Sequence, residues 1–164
     1  MEYKNRKNPR LKDYDYSQNG CYFVTICTEN RQEILSEVRR GGVLLRPIGK
    51  IVKNEISELM KRYDVEINPY VIMPDHIHMI LKINHDVRRA EQSPAPTIGD
   101  IICTFKSLTT KISNKCDNCS GRKIWQRYYY DHIIRDEEDY ITRCNYIENN
   151  PLKYMVEKEK SETE

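Results

Sequence analysis

The order in which apolar residues change their spacing along this chain most constrains what it can fold into. Gly20 to Cys27 is a run rich in aromatic and β-branched residues behind an Asn19-Gly20 turn signal, which predicts a strand. Gly41-Gly42 marks a hairpin or loop. From Pro47 to Tyr63 the residues Ile48, Ile51, Val52, Ile56, Leu59 and Met60 return at helical spacing, and Pro47 suits a first turn because it has no N–H to leave unsatisfied. Val65 to Met73 and His76 to Ile83 are extended runs on either side of Pro74-Asp75, the pattern of an antiparallel pair joined by a tight turn. After the polar stretch Asn84 to Pro96, which reads as a loop, a second helical stripe follows: Ile98, Ile101, Ile102, Phe105, Leu108 and Ile112. That helix is expected to end before the polar segment Asn114 to Gly121, and Lys123 to Arg135 then predicts a fourth strand. Asp136 to Asp139 opens a third helix, because acidic side chains favour the positive end of a helix dipole, and Pro151 is expected to stop it.

The resulting order, β-α-β-β-α-β with an added C-terminal helix, predicts an α+β fold: a ferredoxin-like sandwich with an antiparallel sheet. Strands one and three are central in that topology, so the His76-Ile77-His78 segment is expected in the middle of the sheet. A length of 164 residues fits one domain, with 1–19 as a basic N-terminal extension and 153–164 as a polar tail.

The formal charge of +2 announces no nucleic-acid partner by itself, so its distribution has to carry any such argument. Lys4, Arg6, Lys7, Arg10 and Lys12 load the N-terminus, and Lys106, Lys111, Lys115, Arg122, Lys123 and Arg127 form a later cluster. A solvated face is the plain account of such runs, and phosphate binding is the functional one. No run of about 18 apolar residues exists, and the charged N-terminus lacks an apolar signal region, which predicts a cytoplasmic protein with no membrane partner. Six cysteines are then expected as reduced thiols, since a reducing compartment disfavours disulfides. Cys116-x-x-Cys119 is half of a zinc pattern, and the closed four-ligand set is missing.

His76 and His78 lie two apart on a predicted strand, so both imidazoles leave one face while Ile77 and Met79 point to the other. Such a pair can hold a divalent metal with positions left for a third ligand and phosphate oxygens; it can equally be two polar residues on the wet face of a sheet. On the third helix, Tyr140, Ile141, Cys144, Ile147 and Glu148 group on one side, with Tyr146 and Asn150 well away from that stripe. Four residues apart, Tyr146 and Asn150 are neighbours, one with a nucleophilic oxygen and the other with an amide carbonyl to offer a metal. A rim aromatic is the alternative for Tyr146. Tyr128, Tyr129 and Tyr130 are rival nucleophiles whose plain role is sheet packing and whose further use is base stacking. Trp125 reads as a packing residue.

Three ordered segments carry a resemblance. Tyr70-Val-Ile-Met-Pro-Asp-His-Ile-His-Met-Ile-Leu81, Trp125-Gln-Arg-Tyr-Tyr-Tyr-Asp-His-Ile-Ile-Arg135 and Tyr146-Ile-Glu-Asn-Asn-Pro151, together with Tyr22 to Thr28 and Asn30-Arg31, resemble the REP-associated tyrosine transposases, single-tyrosine HUH nucleases of the small insertion-sequence type. Similarity spans nearly the whole chain, although His85 to Pro96 and Cys116 to Cys119 look like local insertions. The resemblance implies a metal held by His76, His78 and Asn150 and a nucleophile at Tyr146. It implies single-stranded or hairpin DNA as partner, a cofactor of Mg2+ or Mn2+, and a monomer or homodimer. Arg31, Lys106, Lys111, Arg122, Lys123 and Arg127 are then the candidate DNA contacts.

The implied reaction is transesterification through a 5'-phosphotyrosine, with strand joining as its reverse. A free phenol has a pKa of about 10, so attack near neutrality needs positioning, a metal or a base, and no base is identifiable in the sequence. Two alternatives remain: a catalytically inactive nucleic-acid-binding domain of the same fold, and a metal-dependent phosphodiesterase that uses water.

Overall fold

A computed structural model of the chain describes residues 19–84 and 96–162. The basic N-terminal cluster Lys4 to Lys12 and the expected loop around Arg88-Arg89 lie outside the described residues. The main sheet holds β1 (Gly20–Cys27), β4 (Val65–Ile72), β5 (His76–Ile83) and β6 (Tyr130–Ile134) in the spatial order β4-β5-β1-β6, all pairs antiparallel. This is the ferredoxin-like arrangement expected from the element order, with β1 and β5 at its centre. Between β1 and helix α1 (Pro47–Tyr63), β2 (Ser36–Arg39) and β3 (Gly42–Leu45) form a separate hairpin, turned at Gly41 and Gly42, whose φ angles of 101° and 138° only glycine adopts freely.

Two cores flank the sheet. On one face, Tyr22, Val24 and Ile26 of β1 and Ile77, Met79 and Leu81 of β5 pack against Val52, Ile56 and Leu59 of α1 and the apolar side of helix α2 (Ile98–Cys116). The other face buries far less: Phe23, Ile80 and Ile147 form a small cluster under helix α3 (Glu137–Glu162). The side-chain period of two divides each central strand between these cores, so the second face is left for polar residues.

Helix α2 starts on a capping box in which the Thr97 hydroxyl accepts from the Asp100 N–H and the Asp100 carboxylate accepts from the Thr97 N–H. Its buried side includes Thr109 and Ser113, whereas Leu108 and Ile112 are only partly buried. The reason is Trp125, buried against the helix, whose indole N–H donates to Thr109 Oγ1 at 2.8 Å. The expected end before Asn114 is corrected, because α2 runs to Cys116. Asn114 stabilises that last turn by donating to the Arg122 carbonyl and accepting from Arg122 Nε.

The fourth strand is shorter than expected, only Tyr130–Ile134 rather than Lys123 to Arg135. Residues 124–126 instead bond irregularly to the end of β1: Glu29 N–H to the Ile124 carbonyl and Gln126 N–H to the Cys27 carbonyl, with a single bridge between Thr28 and Trp125. The next carbonyls, of Gln126 and Arg127, accept from the Lys106 ammonium at 2.5 and 2.9 Å and so leave the ladder.

Pro151 does not stop the third helix. Helix α3 passes through it to Glu162, and most of the expected polar tail is therefore helical. Proline removes one helical hydrogen bond. Good helix formers follow it, and the Tyr154 hydroxyl donates to Glu33 Oε1 at 2.6 Å, which ties the second half of the helix to the segment before β2. The buried side of α3 keeps Ile147 of the expected stripe but departs from it elsewhere: Tyr140 and Ile141 are exposed, and Asn150 is buried.

Gly49, in the first turn of α1, packs directly on the chain entering β2. A Cβ at this position would lie 2.0 Å from the Leu35 carbonyl oxygen, which already accepts the Arg46 N–H. Gly49→Ala is therefore expected to destabilise the protein by about 1–3 kcal/mol in urea denaturation, despite alanine's better helix propensity.

Candidate active site

His76 and His78 leave β5 on the sheet face opposite Ile77 and Met79, which are fully buried in the main core. The β1–β5 register sets Cys27 opposite His76 and Thr25 opposite His78, so Phe23, Thr25 and Cys27 line the same face. The imidazole centroids are 4.5 Å apart with the rings at 70°. Each Nδ1 has a protein partner: His76 Nδ1 lies 2.6 Å from Asp75 Oδ1, and His78 Nδ1 lies 2.8 Å from Thr25 Oγ1. His78 Nε2 is buried with no hydrogen-bond partner.

Helix α3 crosses this face. Its first half is pinned to β6, where His132 Nε2 meets Asp139 Oδ2 at 2.6 Å and Arg143 donates to the other oxygen of Asp139 at 3.2 Å. The Arg143 guanidinium sits over the Phe23 ring at 5.2 Å, and Ile147 is buried in the small core. These contacts, with the Tyr154 clasp beyond, set the rotation of the helix. Tyr146 thereby projects edge-on to the site, its ring 5.1 Å from His78 and 5.8 Å from Phe23, while Phe23 stacks on His78 at 5.4 Å. Tyr146 remains 42% exposed, whereas Asn150, one turn on, is only 8% exposed. Together His76, His78, Tyr146 and Asn150 line one cleft of about 420 Å³, to which Arg31, Asp75, Lys153, Tyr154 and Glu157 also contribute.

Burial, with the nearby His76 and Arg31, drives the His78 pKa down to about 3, and Asp75 only partly opposes this. The ring is accordingly neutral near pH 7, the form that can coordinate a metal. Burial works to raise the Asp75 pKa, but the hydrogen bond and charge of His76, reinforced by Arg31, outweigh it and hold the carboxyl below its usual range. Burial also raises the Tyr154 phenol, and its bond to Glu33 raises it further.

Among the described residues, no group of three or more His, Cys, Asp or Glu side chains is placed to hold a metal ion. Asn150, whose amide lines the same cleft, offers a further oxygen donor to a cation at the histidine pair. Neutral imidazole nitrogens plus an amide oxygen are a workable set for a borderline divalent ion, and the partnerless His78 Nε2 is consistent with one.

The expected DNA contacts divide between two places. Arg31 lies in the cleft, where its Nε binds Asp75 Oδ2 at 2.9 Å and its Nη1 approaches Cys27 Sγ at 2.7 Å. Lys106, Lys111, Arg122, Lys123 and Arg127 line a separate groove of about 640 Å³ beside α2, floored by Ile102, Ile124, Trp125 and Tyr129. Within it, the Lys106 ammonium is engaged by two carbonyls and Arg122 by Asn114 and Asp117. The Arg127 guanidinium lies over Tyr128 at 5.6 Å. Lys111 and Lys123 have no hydrogen-bond or ion-pair partner among the described residues. Tyr128, Tyr129 and Tyr130 lie outside the cleft, with Tyr128 and Tyr130 exposed. Cys116 and Cys119 are free and exposed, and no metal-holding group includes them among the described residues.

Sequence reasoning missed Thr25, Asp75 and Tyr154. Asp75 was legible only as a turn residue, although it directly precedes His76. Thr25 needed the register. Tyr154 follows Tyr146 by eight residues, a helical spacing hidden by the expectation that Pro151 ends the helix.

Residues 16–150 match the family model described as Transposase IS200 like. An uncharacterised protein of Haemophilus influenzae is 36% identical over 161 residues, covering 90% of this chain and 88% of that protein. The REP-associated tyrosine transposase of Escherichia coli is 26% identical over 140 residues, covering 85% of this chain and 70% of its own. Among solved structures, a REP-associated tyrosine transposase bound to a REP hairpin superposes with a TM-score of 0.59 at 21% identity, covering 88% of this chain and 74% of that one.

The low pKa of His78 couples stability to pH. In the unfolded chain the ring takes up a proton near pH 6.5, while in the folded protein it refuses one until about pH 3. Its contribution is thus complete above pH 6.5 and lost progressively as the pH falls through that window. For metal-free protein, the loss attributable to this ring between pH 6.5 and 5 is about 2 kcal/mol. Urea unfolding of the wild type and His78→Gln should show a flatter acid limb for the variant; parallel limbs would contradict the assignment.

Proposed function

The chain belongs to the IS200-like transposase family, and from that premise we propose that it cuts and rejoins single-stranded, hairpin-forming DNA through a covalent bond to Tyr146. The observation that carries this reading is the gathering of His76, His78, Tyr146 and Asn150 around one cleft. Residues from a central strand and a distant helix have no packing reason to present two imidazoles, an amide and an exposed phenol to the same space.

In this reading His76, His78 and Asn150 hold a divalent cation, Mg2+ or Mn2+. When bound, it withdraws charge from a phosphate oxygen and helps neutralise the transition state. The phenolic oxygen of Tyr146 attacks the phosphorus of the scissile phosphodiester in line. The P–O3' bond breaks, the phenol gives up its proton, and the departing 3'-oxygen is protonated as a hydroxyl. The product is a 5'-phosphotyrosine that retains the energy of the original diester. A second 3'-hydroxyl reverses the step: it forms a new P–O3' bond, expels the Tyr146 oxygen and joins two strands without nucleotide hydrolysis. Edge contacts to His78 and Phe23 restrict the tyrosine ring before substrate arrives, which reduces the ordering needed for attack.

The choice of hairpin DNA is supported by the likeness to proteins named REP-associated tyrosine transposases, one of them solved with a REP hairpin. A backbone-binding surface is supplied by the groove beside α2. Lys111 and Lys123, whose side chains have no partner among the described residues, are the phosphate contacts of this reading, and the 3-10 turn Glu29–Arg31 contributes Glu29 to this groove and Arg31 to the cleft.

Two measurements test the reading. Labelled hairpin oligonucleotides taken from the flanks of the gene, incubated with Mn2+, should give a protein–DNA adduct on a denaturing gel with the wild type and none with Tyr146→Phe. An adduct that persists in the variant moves the nucleophile elsewhere, and cleavage without any adduct points to water as the attacking group. In the second, Lys111→Ala combined with Lys123→Ala should lower the slope of log affinity against log salt by about 1.5, the effect of two lost phosphate contacts. An unchanged slope removes the groove from the DNA path.

A further inference from the structure

A histidine can ligate a cation through only one nitrogen at a time, and which nitrogen is free depends on what holds the other. We propose that Asp75, braced by Arg31, is the positioning residue that fixes the tautomer and orientation of His76 and so turns its Nε2 to the cation. The inference rests on the proposed reading of the cleft as a divalent-cation site, and it assigns roles to Asp75 and Arg31, which line that cleft beside the proposed ligands.

The geometry is specific. Asp75 Oδ1 meets His76 Nδ1 at 2.6 Å, and the other carboxylate oxygen takes the Arg31 guanidinium at 2.9 Å. An ionised carboxylate only accepts hydrogen bonds, so in the neutral ring, the form that can ligate a cation, Nδ1 carries the proton and Nε2 the lone pair. The bond also restricts rotation of the ring. His78 differs, because its Nδ1 partner is the Thr25 hydroxyl, which can donate or accept and does not by itself choose a tautomer.

Asp75 is itself held from outside β5. Its backbone carbonyl accepts the Thr28 N–H at 2.9 Å and lies 3.0 Å from the Thr28 hydroxyl, and the preceding Pro74 carbonyl accepts the Leu35 N–H at 3.0 Å. The β4–β5 turn is thus clamped by residues 28–35, and Arg31 of that same segment holds the carboxylate. This gives Arg31 a use other than direct DNA contact, since its Nε and Nη1 already bind Asp75 and Cys27. The arrangement is the carboxylate–histidine pairing by which proteins orient metal-ligating imidazoles.

The test uses the full chain without DNA and has two readouts. The first is Mn2+ affinity by titration with electron paramagnetic resonance. The second is the His76 tautomer, read from 15N chemical shifts of the ring nitrogens in metal-free protein. Asp75→Leu should weaken Mn2+ binding by about 10- to 100-fold and convert His76 from a single Nδ1–H tautomer to a mixture. Asp75→Asn keeps one oxygen to accept from Nδ1 but turns an amide NH2 toward Arg31, so it should fall with Arg31→Met between the wild type and the leucine variant in both readouts. Wild-type affinity and an unchanged tautomer in Asp75→Leu would overturn the proposal, as would an Asp75→Asn protein as impaired as the leucine variant. Should Asp75→Leu fail to fold, a wild-type His76 that is not the Nδ1–H tautomer overturns it alone. A wild type that binds no Mn2+ while His76 keeps the Nδ1–H tautomer would sink the cation reading of the cleft and leave the hold of Asp75 on the ring established.

Discussion

The pairing register of β1 with β5 is the constraint on which everything at the cleft depends. With Thr25 opposite His78 and Cys27 opposite His76, both imidazoles fall on the sheet face away from the main core. A slip of one residue would send both histidines among Val52, Ile56 and Phe105 and bring Ile77 and Met79 out into the cleft. The core on the α1–α2 face is large enough to forbid that exchange, because burying two unpaired imidazoles there and exposing two large apolar side chains opposes folding twice over. The hydrophobic packing that has no part in chemistry is thus what aims the chemical groups.

The second constraint is the seating of α3. A helix over a mostly polar sheet face gains little from apolar burial, and here Ile147 is the main apolar contact into the small core. Polar ties replace it: His132 to Asp139 near the N-terminus, Arg143 over Phe23 in the middle, and Tyr154 to Glu33 beyond Pro151. Each is modest, and together they determine which side of the helix meets His78. This way of holding a helix leaves room beside it, so Tyr146 can stay half in solvent while its ring edge touches the histidine.

Much of the fold was legible because the periodicities are clean. β1, α1 and β5 have the boundaries that turn residues and apolar spacing predict, and the element order by itself places the His-Ile-His strand at the sheet centre. What misled were signals whose meaning is set by distant partners. Lys123 to Arg135 has strand composition throughout, but Lys106 takes the carbonyls at its middle and the ladder forms only at its end. Pro151 is a helix breaker in isolation, yet the helix continues where Tyr154 finds Glu33, more than a hundred residues away in the chain.

At the cleft, the sequence determined which side chains share a face, and tertiary structure determined where those faces meet. The two imidazoles on one strand face, and the tyrosine and asparagine one helical turn apart, follow from local periods of 2 and 3.6 residues, which any reader of the chain can count. Whether those two pairs meet, and which nitrogen of each ring is held, could not be counted. Those depend on cross-strand register, on the rotation of α3 and on the Asp75–Arg31 and Thr25 contacts, all interactions between residues far apart in sequence. Local spacing fixes direction along an element, and only packing between elements fixes where those directions converge.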